Sequence, residues 1–332
     1  ESSNDFGTAA ITGANVAITD TNAIILGAST VSGTYTVTAG GAITESGDLA
    51  ITGVTTLVAG NLNDITLNRA GNNFQAAVQI TSGNNVTLVD AGAIDLGAST
   101  VSGTYAVTAT ASGDITNSGV LAITSGATFT VAGGRNITLD QSSTFSSTVT
   151  FASSGTIASV TINDSNAFDL KTLTTTGNLT VTAGGNITDS GTVTVGGNLA
   201  ATTDANNGVI DLGTLAVDGT MALATHGTGA ATVVNDAGLN FAASTVGGAL
   251  SATATAGNIT DSGALAITGT STFTVANGQS VILDESSTFS TVTFASPGTI
   301  ASIEVNDSNA LDLGALTTTG NLTVTAGGDI TD

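Results

Sequence analysis

The sequence predicts an all-β fold, a parallel β-helix (solenoid) of about 14 coils. Three observations carry this expectation. The chain repeats itself at long period, its apolar residues alternate at period 2 in short runs, and its 332 residues include 43 Gly but 1 Pro.

The repeats come first. GDITNSGVLAIT, starting at Gly113, returns as GNITDSGALAIT at Gly257, and TFTVAGGRNITLDQSSTF at Thr128 returns as TFTVANGQSVILDESSTF at Thr272. The offset is 144 residues, and Asp20 and Asp164 keep the same offset. This unit is itself double, because ASTVSGTY occurs at Ala28–Tyr35 and at Ala98–Tyr105, an offset of 70. Aspartates mark the same period at Asp20, Asp90, Asp164, Asp236 and Asp307. A unit of about 72 residues thus tiles the chain four to five times.

Inside the unit, Gly177, Gly197, Gly219 and Gly248 open similar segments at steps of 20, 22 and 29. Three steps fill one unit, giving three coils of ~24 residues each. Each step holds short alternating runs such as Leu179-x-Val181 and Val193-x-Val195, bounded by Gly-Gly, Asp-Ser-Gly or Asn-Asn-Gly. These are strand and turn signals, and no stretch sustains a 3.6-residue period.

One coil cannot bury its own apolar face, whereas stacked coils share a continuous interior of Val, Ile, Leu and Phe. Phe129, Phe145 and Phe151 recur as Phe273, Phe289 and Phe294 and read as a core stack. Tyr35 and Tyr105 carry the same reading, with an exposed sugar-stacking platform as the alternative. Threonine suits outward strand positions, and the single Pro297 leaves the ladders intact. Residues 1–332 read as one β-helical repeat region, a rod on the order of 65 Å at ~4.8 Å per coil. A string of sandwich domains would need linkers that are absent. The chain starts in mid-motif, Glu1-Ser2-Ser3 matching Glu285-Ser286-Ser287, and stops inside the motif that Gly184–Gly191 shows whole. It reads as a segment of a longer chain.

Composition excludes several functions. The net charge is -22 with 3 Lys+Arg, too few cations to neutralise a nucleic-acid backbone. With 0 Cys there are no disulfides, thiolate metal sites or Cys nucleophiles. No apolar run approaches the ~18 residues of a membrane-spanning helix.

No catalytic, cofactor-binding or metal-binding residue is assigned. The single His226, in Ala-Thr-His-Gly-Thr-Gly, reads as a turn residue. Arg69, Arg135 and Lys171 are scattered, and the one basic–acidic pair of note, Arg135 near Asp140, has Gln279 in place of the Arg in its repeat. The acid pairs Asp90/Asp95, Asp164/Asp169 and Asp307/Asp312 recur with the repeat, which suits turns rather than glycoside hydrolysis. Calcium finds recurrent oxygen ligands in these acids and in Asp189, Asp261 and Asp284/Glu285. The EF-hand loop and the Gly-rich nonapeptide of calcium β-rolls are absent, so the cation expectation is weak, non-specific Ca²⁺ and no cofactor. Turn asparagines (Asn166, Asn178, Asn186, Asn198, Asn258, Asn309, Asn321) read as backbone-satisfying groups, in ladders on adjacent or third-neighbour coils. Thr174–Thr176 and Thr317–Thr319 suggest a flat ice-type binding row, but they recur only once per larger unit.

The run GNLTVTAGGNITDSGTVTVGGNLAATT from Gly177, with GNITDSGALAITG from Gly257, resembles the shaft repeats of filamentous-haemagglutinin-like bacterial adhesins. The resemblance implies a right-handed parallel β-helix exported by two-partner secretion or as an autotransporter passenger. It also implies a structural shaft on the bacterial cell surface, secreted and extracellular, projecting a binding region towards a glycan or protein of a host or neighbouring cell. The alternative is a repeating subunit of an extracellular filament, sheath or surface layer, self-associating into fibres. The secretion domain of such proteins is not recognisable here. The long step Gly219–Gly247 departs from the tightest shaft pattern and suggests a bulge or side loop.

Overall fold

The computed structural model describes residues 4–111 and 113–332, and the chain divides into two compact units, Glu1–Ser165 and Asn166–Asp332. Each unit is a β-solenoid of parallel strands, about 15 turns counted over both. No helix occurs among the described residues, so none is long and apolar enough to cross a membrane. The match of Glu1, Ser2 and Ser3 to a later copy lies outside the described residues.

The period-2 pattern does what the sequence requires of it. In Tyr35–Ala39 the first, third and fifth side chains are buried and the two threonines between them face outward. Stacking turns aligns such residues in register, as in Tyr35↔Thr55 and Val37↔Leu57, so that Val37, Leu57, Ile43 and Leu49 are wholly buried. Glycines serve where turns stack closely. A Cβ on Gly113 would lie 2.0 Å from the backbone of Gly92 and Ala93 in the turn beneath it.

The turn is shorter than the sequence spacing suggests. In unit 1 one ladder runs Ile24, Ile43, Ile65, Val86, Tyr105, Ala127, Val149, in steps of 19 to 22 residues. In unit 2 the ladder Ile187, Ile210, Ala231, Leu250, Ser271, Val292 steps by 19 to 23. At about 21 residues per turn, the repeat of about 72 residues spans three and a half turns, not three. Equivalent residues therefore alternate between ladders. Tyr35 stacks between Val16 and Thr55, while Tyr105 stacks between Val86 and Ala127 in a different sheet.

A regular turn contains one five-residue strand and two three-residue strands, for example Tyr35–Ala39, Ile43–Glu45 and Leu49–Ile51. The extra half turn forces a seam, where a straight five-residue strand stacks on the two short strands and the bend between them. Val160–Asp164 lies this way on Ile137–Phe145: Leu139 pairs Ile162 and Ser143 pairs Asp164, four residues of advance against two. In unit 2, Ala231–Asn235 meets Ile210–Val217 with the same kind of slip between Leu212 and Leu215. Gln279–Ser287 meets Ile300–Asp307 with a slip between Leu283 and Ser287. These register slips are bulges, which bend a strand and leave some of its backbone groups without a ladder partner.

The half turn also accounts for Gly219–Gly247. That step holds no side loop. It contains four strands, Thr220–His226, Ala231–Asn235, Leu239–Phe241 and Ser244–Val246, which make one and a half turns.

The repeated phenylalanines cluster as the core reading expects. Phe129 sits with its ring centroid 6.1 Å from both Tyr105 and Phe145 and 6.4 Å from Phe151. Phe273 repeats the cluster, 6.0 Å from Phe289, 6.2 Å from Phe294 and 6.4 Å from Phe241. Tyr35 and Tyr105 are fully buried, so neither is a platform for sugars.

Candidate functional site

The recurrent polar feature of both units is the seam. An N–H that loses its ladder partner in a buried place costs about as much as a lost hydrogen bond, so another acceptor is needed. The sequence supplies two acceptors per seam, one from each neighbouring turn.

The following turn supplies the buried residue at the end of the straight strand. Asp90 accepts the N–H of Phe74 at 2.6 Å and Asp164 that of Phe145 at 3.2 Å. Asn235 accepts the N–H of Val217 at 2.8 Å and Asp307 that of Phe289 at 3.4 Å. Asp20 does the same for Phe6 at 2.8 Å. Three of them also take the N–H two residues ahead, on Asn22, Gly92 and Asn309, which tightens the exit turn. Burial pushes Asp90 and Asp307 above the usual carboxylate range, and the donated N–H groups pull the other way.

The preceding turn supplies the third residue of the Ile-Thr-(Glu/Asn/Asp)-Ser-Gly motif, which recurs every 72 residues as Glu45, Asn117, Asp189 and Asp261. Glu45 accepts the N–H of Arg69 at 2.6 Å, and Asn117 that of Gln141 at 3.5 Å. Asp189 accepts the N–H groups of Gly213 and Thr214 at 2.8 and 2.7 Å, and Asp261 that of Asp284 at 3.0 Å. Each bulged turn is therefore clamped from both sides.

Two sequence expectations change here. Asp236 is not the counterpart of Asp20, Asp90, Asp164 and Asp307: it is exposed, and the buried clamp position belongs to its neighbour Asn235. The acid pairs are not paired in role either. Asp90, Asp164 and Asp307 are buried clamps, whereas Asp169 binds Lys171 at 2.5 Å and Ser190 at 2.8 Å, Asp95 accepts from Ser118, and the exposed Asp312 accepts from Thr291 and Thr331. The clamp role of Glu45 escaped the sequence reading. Its exact 72-residue spacing to Asn117 was the available signal.

Asparagines outside the seams join adjacent turns. Asn178 accepts the N–H of Asn198 at 2.9 Å, and Asn198 in turn accepts that of Thr220 at 2.9 Å. Asn258 does the same for Ser280 at 2.8 Å, and Asn186 for Val209 at 3.0 Å. Asp64 and Asp114 fill the same role towards Asn85 and Asn136.

The remaining candidates stand apart. His226 ends the strand Thr220–His226, is exposed, and its Nδ1 meets the carbonyl of Thr203. Arg69 pairs with Asp48 at 2.6 Å, both half exposed. Arg135 and Asp140 form no ion pair among the described residues. Thr175 is buried and bonds the carbonyl of Gly177, so Thr174–Thr176 is no outward row. Among the described residues, no three His, Asp or Glu side chains come together as a metal-holding group.

The family described as "Repeats of unknown function (DUF5649)" matches residues 13–81, 83–152, 158–215, 228–296 and 300–332. The first two matches and the fourth each cover close to one 72-residue unit. No curated protein and no solved structure matches the chain.

Proposed function

We propose, from the premise that this chain belongs to the DUF5649 repeat family, that it serves as a structural shaft or passenger of a secreted bacterial cell-surface adhesin. In that role it holds a binding region away from the cell. The observation that carries the reading is the use of its polar groups. The buried acids and turn asparagines are spent on backbone N–H groups of neighbouring turns, so the chemistry of the repeat is directed at holding turns together. An element that transmits load needs this more than it needs a ligand pocket. The net charge of -22 also follows partly from these clamps, and it discourages edge-to-edge pairing of strands. The resemblance of GNLTVTAGGNITDSGTVTVGG to adhesin shaft repeats supports the same reading, with a right-handed coil and an extracellular location. The partner is then a glycan or protein of a host or neighbouring cell, contacted by a region other than these repeats. The chain acts without an enzyme activity or resident cofactor, and it meets cations only by weak, non-specific screening.

Electron microscopy of the native protein on its source cells, located with an antibody to the repeat, tests the proposal. Isolated projections from the cell surface are expected. Ordered fibres or sheets would replace it with the subunit of a filament, sheath or surface layer. An intracellular location would overturn both.

A further inference from the structure

The clamp at Asn117 and the clamp at Asp261 occupy the same place, 144 residues apart, yet they differ in one atom's chemistry. Asn117 accepts the N–H of Gln141 through Oδ1 and donates through Nδ2 to the carbonyl of Gly119 at 3.1 Å and to Ser143 Oγ at 3.5 Å. Asp261 accepts the N–H of Asp284 at 3.0 Å and of Glu285 at 3.5 Å through Oδ1. The partners of Asn117 Nδ2, Gly119 and Ser143, have Gly263 and Ser287 as their counterparts 144 residues on, and at Asp261 the second side-chain atom is the oxygen Oδ2 instead of an NH₂ group. Asp261 is 8% exposed, and Oδ2 is buried with no hydrogen-bond partner. An ionised oxygen cannot donate to a carbonyl, and a buried oxygen without a partner is costly.

We infer that Asp261 is a proton-operated latch, closed when its carboxylic acid donates to the Gly263 carbonyl as Asn117 donates to Gly119, and strained when it ionises. The groups facing it give the same sign. Asp284 and Glu285, on the following strand Gln279–Ser287, raise the cost of ionisation. The preceding strand, Leu239–Phe241, contributes no charge. The amide of Asn117 at the equivalent place has no proton to lose, so that clamp does not titrate.

Burial, opposed by the two N–H donors and reinforced by the two acids, pushes Asp261 from the ordinary 3.8 up to about 6. Folding then binds a proton that the unfolded chain has released. The stabilisation is complete below about pH 4, declines as pH rises through the window to about 6, and is absent above it.

The test is the midpoint of thermal unfolding between pH 4 and 8 for the unaltered chain, Asp261→Asn and Asn117→Asp. The expected result is a fall across pH 4–6 in the unaltered chain that Asp261→Asn reduces and Asn117→Asp enlarges. Asp261→Asn should also unfold at a higher temperature than the unaltered chain at pH 8. A carbon-detected NMR titration of the Asp261 carboxyl in the unaltered chain reads the proton directly and does not depend on either variant folding. Titration near 4, or identical pH profiles for the unaltered chain and Asp261→Asn, would overturn the inference.

Discussion

The seam around Ile137–Phe145 in unit 1 and the seam around Gln279–Ser287 in unit 2 are two versions of one device. Both bulge at the same place, both bury a Phe next to the bulge, and both are closed from the following turn by an aspartate, Asp164 or Asp307. They differ on the side of the preceding turn, where one uses Asn117 and the other Asp261, and in the bulge itself, where Gln141 of one has Glu285 as its sequence counterpart in the other. The seam therefore needs an acceptor oxygen at a fixed point, and charge there is optional. Unit 2 makes the same point at its other seam, where Asn235 does the work of the aspartates.

The largest expected effect tests whether the two seams share one kind of core. Phe129→Ala and Phe273→Ala each remove the central ring of an aromatic cluster and should each cost about 3–5 kcal/mol, read as a lowered midpoint of chemical unfolding. A large loss for only one of them would break the equivalence.

Removing the clamp comes next. Asp164→Ala and Asp307→Ala remove the carboxylate that accepts the buried N–H of Phe145 or Phe289 and should cost about 1–3 kcal/mol each. Asp307→Asn keeps the acceptor, and Asn235 shows that the added NH₂ can find carbonyls in such a site, on Val217 at 3.1 Å and Gly238 at 2.7 Å. Its cost should be well below that of Asp307→Ala. Because burial raises Asp307 above the ordinary range, this variant should also lose part of the decline in stability that sets in above about pH 4. Equal losses for Ala and Asn would mean that the acceptor is not what matters.

The smallest effect is expected at the surface. Lys171→Ala breaks the ion pair with Asp169, whose side chains are 40% and 39% exposed, and exposed pairs contribute little. The unfolding midpoint should stay within measurement error.

The solenoid was legible because its turns repeat in sequence, and the aromatic core because Phe129, Phe145 and Phe151 recur as Phe273, Phe289 and Phe294. The half turn was not. A five-residue strand and a pair of three-residue strands alternate with the same period, so the apolar pattern does not reveal which one stacks on which. The step from Gly219 to Gly248 hid one and a half turns for that reason. The clamps were half legible. Aspartates at fixed spacing point to turns, but the charge of Asp236 matches the series while the buried clamp is the uncharged Asn235 beside it. Alternation places Asn235 inward, two residues beyond the buried Val233, and a reading by face rather than by residue type would have found it.

Native-state hydrogen exchange at the amides of Phe74, Phe145, Val217 and Phe289 tests the clamped seam most directly. Each donates to a side chain of the following turn. These amides should exchange as slowly as the ladder amides of Val107 and Ala252, and Asp164→Ala should release Phe145 while leaving Phe289 protected. Exchange of all four at the rate of exposed turn amides in the unaltered chain would contradict this.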